Sequence, residues 1–328
     1  MTDTTCRRVL LLGATGSIGR ATAAALRARG HALVCVLRPR ADPHDLARTL
    51  PGATLRWGDV ADAGWLAQHV FAPGERFDAV ISCMASRSGV PADAWAVDHR
   101  AHRQVLQAAQ RAGVPQFVLL SAICVQKPRL AFQQAKLAFE QALTASGLRY
   151  SIVRPTAFFK SLSGQVERVR RGQPYLVFGD GRLTACKPIS DADLADYLVG
   201  CLHDASRWNR VLPIGGPGAA ITPREQGEAL FALLGRPPRF RSLPLGMMDG
   251  IVGGLSMAAR LWPKLAAKAE LARIGRYYAC ESMLVWDAQG ARYDADATPS
   301  TGRDTLQAHY AALVRGERVH ERGAHAVF

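Results

Sequence analysis

Short blocks rich in apolar residues recur along the first half of this chain, at residues 9–12, 32–37, 54–57, 77–83, 116–121 and 149–153. Such blocks, bounded by turn residues, predict strands buried on both faces. Between them lie stretches with apolar positions at helical spacing: the alanine-rich residues 20–29, then 95–112 before Gly113, and 130–146 before Gly147. A glycine just past the last periodic position is a natural helix stop. Strand alternating with helix predicts an α/β protein with a doubly wound parallel sheet.

Beyond Pro155 the alternation loosens. Residues 158–171 read as one helix, 174–178 as a short strand before the turn Gly179-Asp180-Gly181, and 191–202 as an amphipathic helix. Residues 211–214 are a candidate strand returning to the sheet, and helices are expected near 223–234 and 304–315. The pattern divides the chain into a nucleotide-binding domain over 1–155 and a smaller, partly helical substrate lobe over 156–328. Residues 245–262 are rich in Gly, Met and Leu, yet Asp249 and four glycines argue against a membrane span. A mobile apolar lid, a membrane-touching helix and a core helix remain, with the core helix as the default.

The first strand runs into Gly13-Ala14-Thr15-Gly16-Ser17-Ile18-Gly19, a G-x-x-G-x-x-G turn that opens a helix. A pyrophosphate rests on backbone N–H groups at a helix N-terminus only where no side chain intervenes. Gly13 makes the turn, Gly16 admits the phosphates and Gly19 lets helix and strand pack closely; Thr15, Ser17 and Ile18 complete the expected contacts. This context predicts a Rossmann-type dinucleotide site. The second strand ends in Arg38-Pro39-Arg40, and an arginine there complements a ribose 2′-phosphate, so Arg38 points to NADPH. Asp59 and Val60 follow the third strand, where they approach the adenine. Met84, Ala85, Ser121 and Pro155 stand at the carboxyl ends of later strands, where ligands collect in open α/β sheets.

The formal charge of +14 points to anionic partners. No Lys/Arg run reads as a nucleic-acid arm; Arg168, Arg170 and Arg171 are the densest cluster. The seven cysteines show neither a C-x-x-C pair nor metal-ligand spacing, which argues against a zinc site, an iron–sulfur cluster or a disulfide framework. With no apolar leader at the N-terminus, these free thiols predict a cytoplasmic protein and no metal.

Short-chain dehydrogenases acting on alcohols and ketones use a Y-x-x-x-K helix, and here that segment is Phe132-Gln133-Gln134-Ala135-Lys136. A ring without a hydroxyl cannot protonate a carbonyl oxygen, so Lys136 can still orient a nicotinamide ribose but alcohol chemistry is disfavoured. The implied reaction is hydride transfer to carbon.

Further strings are more specific: residues 154–162 (Arg-Pro-Thr-Ala-Phe-Phe-Lys-Ser-Leu), Gly164-Gln165-Val166, Phe178-Gly179-Asp180-Gly181, residues 185–190 (Ala-Cys-Lys-Pro-Ile-Ser), Lys127-Pro128, and residues 297–302. In these the chain closely resembles the divinyl chlorophyllide a 8-vinyl reductases, over nearly its whole length. The resemblance implies an NADPH-dependent enzyme of (bacterio)chlorophyll biosynthesis that reduces the 8-vinyl group of a divinyl chlorophyllide or protochlorophyllide to ethyl. A flat tetrapyrrole needs an aromatic and aliphatic slot, for which Phe158, Phe159, Met84 and residues 245–262 are candidates. Lys160, Arg168 or Lys187 is a candidate partner for its propionate, and Cys186 or Lys187 for the proton. Peripheral contact with photosynthetic membranes fits such a substrate, and the oligomeric state stays open. Two other readings share the missing tyrosine: an NmrA-like NADP sensor that catalyses nothing, and an isoflavone-reductase-like ene reductase. The Phe-Phe-Lys-Ser-Leu and Ala-Cys-Lys-Pro-Ile-Ser strings speak against both.

Overall fold

A computed structural model describes residues 5–38 and 48–317. Pro39 and Arg40, which close the second strand in the sequence, lie outside the described residues. The strands are β1 (Arg8–Leu12), β2 (Ala32–Leu37), β3 (Thr54–Trp57), β4 (Ala79–Ser82), β5 (Gln116–Leu120), β6 (Arg149–Pro155), β7 (Tyr175–Phe178), β8 (Arg210–Ile214), β9 (Phe240–Leu243), β10 (Val285–Asp287) and β11 (Arg292–Asp294). The longer helices are α1 (Ser17–Ala28), α2 (residues 91–111), α3 (Ala131–Thr144), α4 (Asp191–Gly200), α5 (Pro223–Leu233), α6 (Leu245–Leu261), α7 (Ala266–Tyr278) and α8 (Leu306–Val314).

The main sheet has the order β3-β2-β1-β4-β5-β6-β8, all parallel. The strand expected at 211–214 is thus its edge, with Ile152 opposite Val211. The order reverses at β1, which opens a crevice between the carboxyl ends of β1 and β4. Successive residues of β1 serve opposite layers. Val9 and Leu11 pack with Leu26 of α1 and Leu194 and Leu198 of α4. Leu10 and Leu12 pack with Val105 and Leu106 of α2 and Phe139 and Leu143 of α3. Apolar surface on both sides is what made these strands read as unbroken apolar blocks.

Several predicted elements differ in extent. The helix predicted over 95–112 begins at Pro91, and its middle, Trp95–Ala101, is a wide π-type turn between two α-helical parts. The helix predicted over 158–171 is two short ones, Phe159–Leu162 and Val166–Arg170. It breaks because Gln165 turns its amide onto β7, accepting from Leu176 N at 2.7 Å and donating to Leu176 O at 2.8 Å. β7 pairs in parallel with β9, which carries no clear apolar signal of its own. A separate cluster holds the lobe together, with Phe159, Val169, Tyr175, Phe231, Leu306 and Tyr310 at its centre. Of residues 245–262, Leu245–Leu261 do form a helix, α6, but it is not a core helix: Met248 is its buried residue, while Met257 and Leu261, and Trp262 just past its end, are 68%, 72% and 60% exposed.

Candidate functional site

The loop after β1 carries out each geometric demand read from its glycines. Gly13 has φ +75°, and a Cβ there would lie 2.6 Å from the Cys83 carbonyl carbon. A Cβ on Gly19 would lie 2.0 Å from the Gly13 oxygen, so strand and helix touch at that point. Around Gly16 the space is open: an added Cβ would meet only Gly13 O, at 3.5 Å. Gly16 is the N-cap of α1, supplies no side-chain cap, and no acidic residue occupies the first turn. The helix end therefore presents backbone N–H groups and positive dipole to open space, and this cradle fits a dinucleotide pyrophosphate. Ile18 is 7% exposed with its side chain in the core, so only its backbone is available to a ligand. Thr15 and Ser17 are half-buried beside it. Arg38 is exposed at the carboxyl end of β2. Asp59 is also exposed, with Oδ1 accepting from Ala61 N at 2.9 Å, and Val60 packs against the second core layer.

A cavity of about 410 Å³ continues from this crevice along the carboxyl ends of β4, β5 and β6. Met84, Ala85, Ser121, Pro155, Phe132, Lys136, Phe158 and Cys186 line it, so residues far apart in sequence meet on one wall. The lobe closes the other side with Tyr175 and Phe178, while Ile274, Tyr278 and Met283 pack in one cluster with Phe132. Most of this lining is apolar, as a flat conjugated ligand requires.

Lys136 is not a surface lysine. Its side chain is 12% exposed and its Nζ donates to Asp98 Oδ1 at 3.0 Å. Asp98 is fully buried on the wide turn of α2, and its other oxygen accepts from Ser86 Oγ at 2.6 Å. One carboxylate thus fixes the ammonium on the cavity wall. Ser121 lines the cavity, but its hydroxyl donates to Glu140 Oε1 at 2.5 Å, a carboxylate also held by Arg154. Glu281, at the rim, accepts from Lys127 Nζ and Tyr293 Oη at 2.6 Å each and pairs with Arg129 at 3.0 Å. Burial alone would raise its pKa, but these bonds and the two cations outweigh it and hold the carboxyl below its ordinary value.

The structure does not bring every expected residue to the cavity. Phe159 is 4% exposed inside the lobe core, its ring 5.4 Å from that of His309, so it is a packing residue. Lys187 points elsewhere, its Nζ donating to Thr298 O at 2.8 Å. Lys160 is half-buried and outside the cavity lining. Arg168 uses its Nε on Pro174 O at 2.8 Å. Cys186 does line the cavity, and burial pushes its thiol up to about 12, so it is a neutral and weak acid. Sequence reasoning missed Asp98, Tyr278 and Glu281. Asp98 left one trace, a carboxylate beside Ala96 and Val97 in a helix with a buried face; the C-terminal pair left none.

An open parallel sheet with a glycine turn at its switch point and a lysine anchored on the adjoining wall defines an NAD(P)H-binding Rossmann-type protein. The sequence profile of an NAD(P)H-binding family matches residues 13–205, more than half of the 328. The chain is 49% identical to the divinyl chlorophyllide a 8-vinyl-reductase of Oryza sativa subsp. indica, over 98% of this chain and 82% of that one. It is 46% identical to the Arabidopsis thaliana protein of the same name, over 94% of this chain and 76% of that one. The chain belongs to the divinyl chlorophyllide a 8-vinyl-reductase family. Among solved structures, the NADPH-dependent quinone oxidoreductase of Escherichia coli with NADPH shares the fold at TM-score 0.65 and 19% identity, over 93% of this chain and 99% of that one. The Thermotoga maritima UDP-glucose 4-epimerase shares it at TM-score 0.59 and 19% identity, over 72% and 85%.

Proposed function

We propose that this protein uses NADPH to reduce the 8-vinyl group of a divinyl chlorophyllide or protochlorophyllide a to ethyl, in (bacterio)chlorophyll biosynthesis. One observation carries the reading beyond family membership: the apolar cavity keeps an anchored Lys136 but has Phe132 where a carbonyl reductase needs a hydroxyl. Bound NADPH supplies the hydride that reaches the terminal vinyl carbon. Gly13, Gly16 and Gly19 leave room for its pyrophosphate, with Thr15, Ser17 and the backbone of Ile18 as neighbours. Arg38 takes the 2′-phosphate, and Asp59 and Val60 border the adenine. Met84, Ala85, Ser121 and Pro155 bound the nicotinamide end, and Lys136, held by Asp98, orients the ribose. The lobe after residue 155 offers the wall for the pigment, with Phe158 and Met84 as flat apolar contacts.

The same reading assigns the protein to the cytoplasm with peripheral contact at photosynthetic membranes. Among the described residues no helix is long and apolar enough to cross a membrane. The support for surface contact is the α6–α7 hairpin. Met257, Leu261 and Trp262 are exposed at its tip, and exposed Arg260, Lys264 and Lys268 surround them.

The test is to incubate the purified protein with NADPH and divinyl chlorophyllide a or divinyl protochlorophyllide a, side by side. A blue shift of the Soret band, with the monovinyl product on chromatography, is expected; unchanged pigment that stays dissolved overturns the reading. In the same series, Arg38→Ala should weaken NADPH binding about 10- to 100-fold, the cost of one charge-assisted phosphate contact, and leave NADH binding unchanged. Equal losses for both cofactors would remove Arg38 from the site.

A further inference from the structure

Phe132 stands where a proton-donating tyrosine is expected, so completion of an ethyl group needs a proton from another group. Of the O–H and S–H groups on the cavity wall, those of Ser86, Ser121 and Thr156 donate to Asp98, Glu140 and Lys187 O, while those of Tyr175, Cys186 and Tyr278 stand on two sides. Tyr175 and Cys186 belong to the lobe side: the Tyr175 ring lies 6.2 Å from Phe240, and Gln226 Nε2 lies 3.9 Å from Cys186 Sγ. Tyr278 lies on the Phe132 side. It packs in one apolar cluster with Phe132, Ala122 and Met283. Its hydroxyl donates to Cys124 Sγ at 3.7 Å, and that sulfur feels the charge of Lys136. The neighbouring Tyr277 donates to Cys124 O at 3.0 Å and Lys127 O at 3.1 Å, which pins the end of α7 to the turn after β5. Tyr278 therefore has a fixed position on the wall shared with Phe132 and Lys136.

We propose that Tyr278 is the catalytic proton donor, supplying from α7 the hydroxyl that Phe132 lacks; this rests on the vinyl-reductase reading. Hydride arriving at the terminal vinyl carbon leaves its electron pair in the conjugated macrocycle. The Tyr278 O–H bond then breaks and its proton bonds to the inner vinyl carbon, using that pair. The phenolate takes a proton back from solvent, so one NADPH and one proton give NADP⁺ and the ethyl group. Burial raises the Tyr278 phenol well above its ordinary value, so it carries its proton throughout neutral pH. Sulfur is a weak acceptor and does not lock the hydroxyl.

The experiment compares parent, Tyr278→Phe and the control Tyr197→Phe in single turnovers of divinyl chlorophyllide a with NADPH, followed by Soret absorbance. NADPH binding by fluorescence and pigment binding by difference spectrum are measured alongside. A lost general acid costs about 10²- to 10⁴-fold. Tyr278→Phe should lose at least about 100-fold in rate and keep both affinities within about threefold, while Tyr197→Phe, on α4 outside the cavity lining, keeps its rate. A Tyr278→Phe rate near the parent's overturns the proposal, as does a rate loss matched by loss of either binding, which marks a packing role. A parent that binds NADPH and pigment yet reduces nothing overturns the vinyl-reductase reading and the proposal together, so the two failures are distinguishable.

Discussion

Lys136 and Phe132 show what a single side chain can disclose. A lysine kept without its tyrosine disfavours one reaction and leaves another, and that much was legible in five consecutive residues. Asp98 was not legible, because a carboxylate in a helix is ordinary until a packed sheet encloses it. His102 behaves alike. Its Nδ1 lies 2.8 Å from Val97 O and its Nε2 2.8 Å from Ser82 Oγ. A carbonyl only accepts, so Nδ1 carries the proton, Nε2 accepts from the serine, and the ring is neutral. Burial pushes its pKa down from 6.5 to about 4. The unfolded chain then holds the extra proton between those values, so stability is full above about pH 6.5 and falls as pH drops. The loss approaches about 3 kcal/mol near pH 4. His31 and His203 are shifted in the same direction, chiefly by burial. Thermal melts at pH 7, 5.5 and 4.5 should show Tm falling with pH, and His102→Gln should flatten the fall; an unchanged slope would discount His102.

At the scale of elements, the turn before α1 separates folding from binding. At Gly16 an added methyl meets open space, while at Gly19 it meets the Gly13 oxygen at 2.0 Å. Gly16→Ala should therefore keep its Tm within a few degrees and lose NADPH affinity by at least about tenfold, since the methyl occupies the phosphate approach. Gly19→Ala should lower Tm itself, because strand and helix must move apart. Comparable Tm losses in both variants would mean that the loop serves packing alone. The strands and the main helices were readable because each buries an apolar face with its own period. The break at 163–165 and the strand β9 were not, since Gln165 and Phe240 take their roles from β7, more than sixty residues before one of them and ten after the other.

For the whole molecule, the +14 charge and the exposed tip of the α6–α7 hairpin are the two features from which the proposed surface contact is predicted. The acidic Asp249 on α6 is engaged by Arg276 at 2.7 Å, which leaves Arg260, Lys264 and Lys268 to meet an anionic surface. Trp262 among them suits the boundary between headgroups and acyl chains. The protein should co-sediment with vesicles containing phosphatidylglycerol and not with pure phosphatidylcholine. Trp262→Ser together with Lys264→Glu should release it, and 0.5 M salt, which screens beyond a few ångströms, should weaken it. Equal binding to both vesicles, or to neither, would end the idea of an anionic lipid contact. The amino-acid sequence alone determined the parallel sheet, the glycine cradle, the cofactor and the chemistry that Phe132 disfavours, because each depends on local spacing or on one short string. Only the tertiary structure decided that Phe159 packs in the core, that Lys187 turns to a carbonyl, that Asp98 anchors Lys136 and that Tyr278 faces the cavity. Those four depend on which distant surfaces enclose a side chain, and enclosure exists only once the chain has folded.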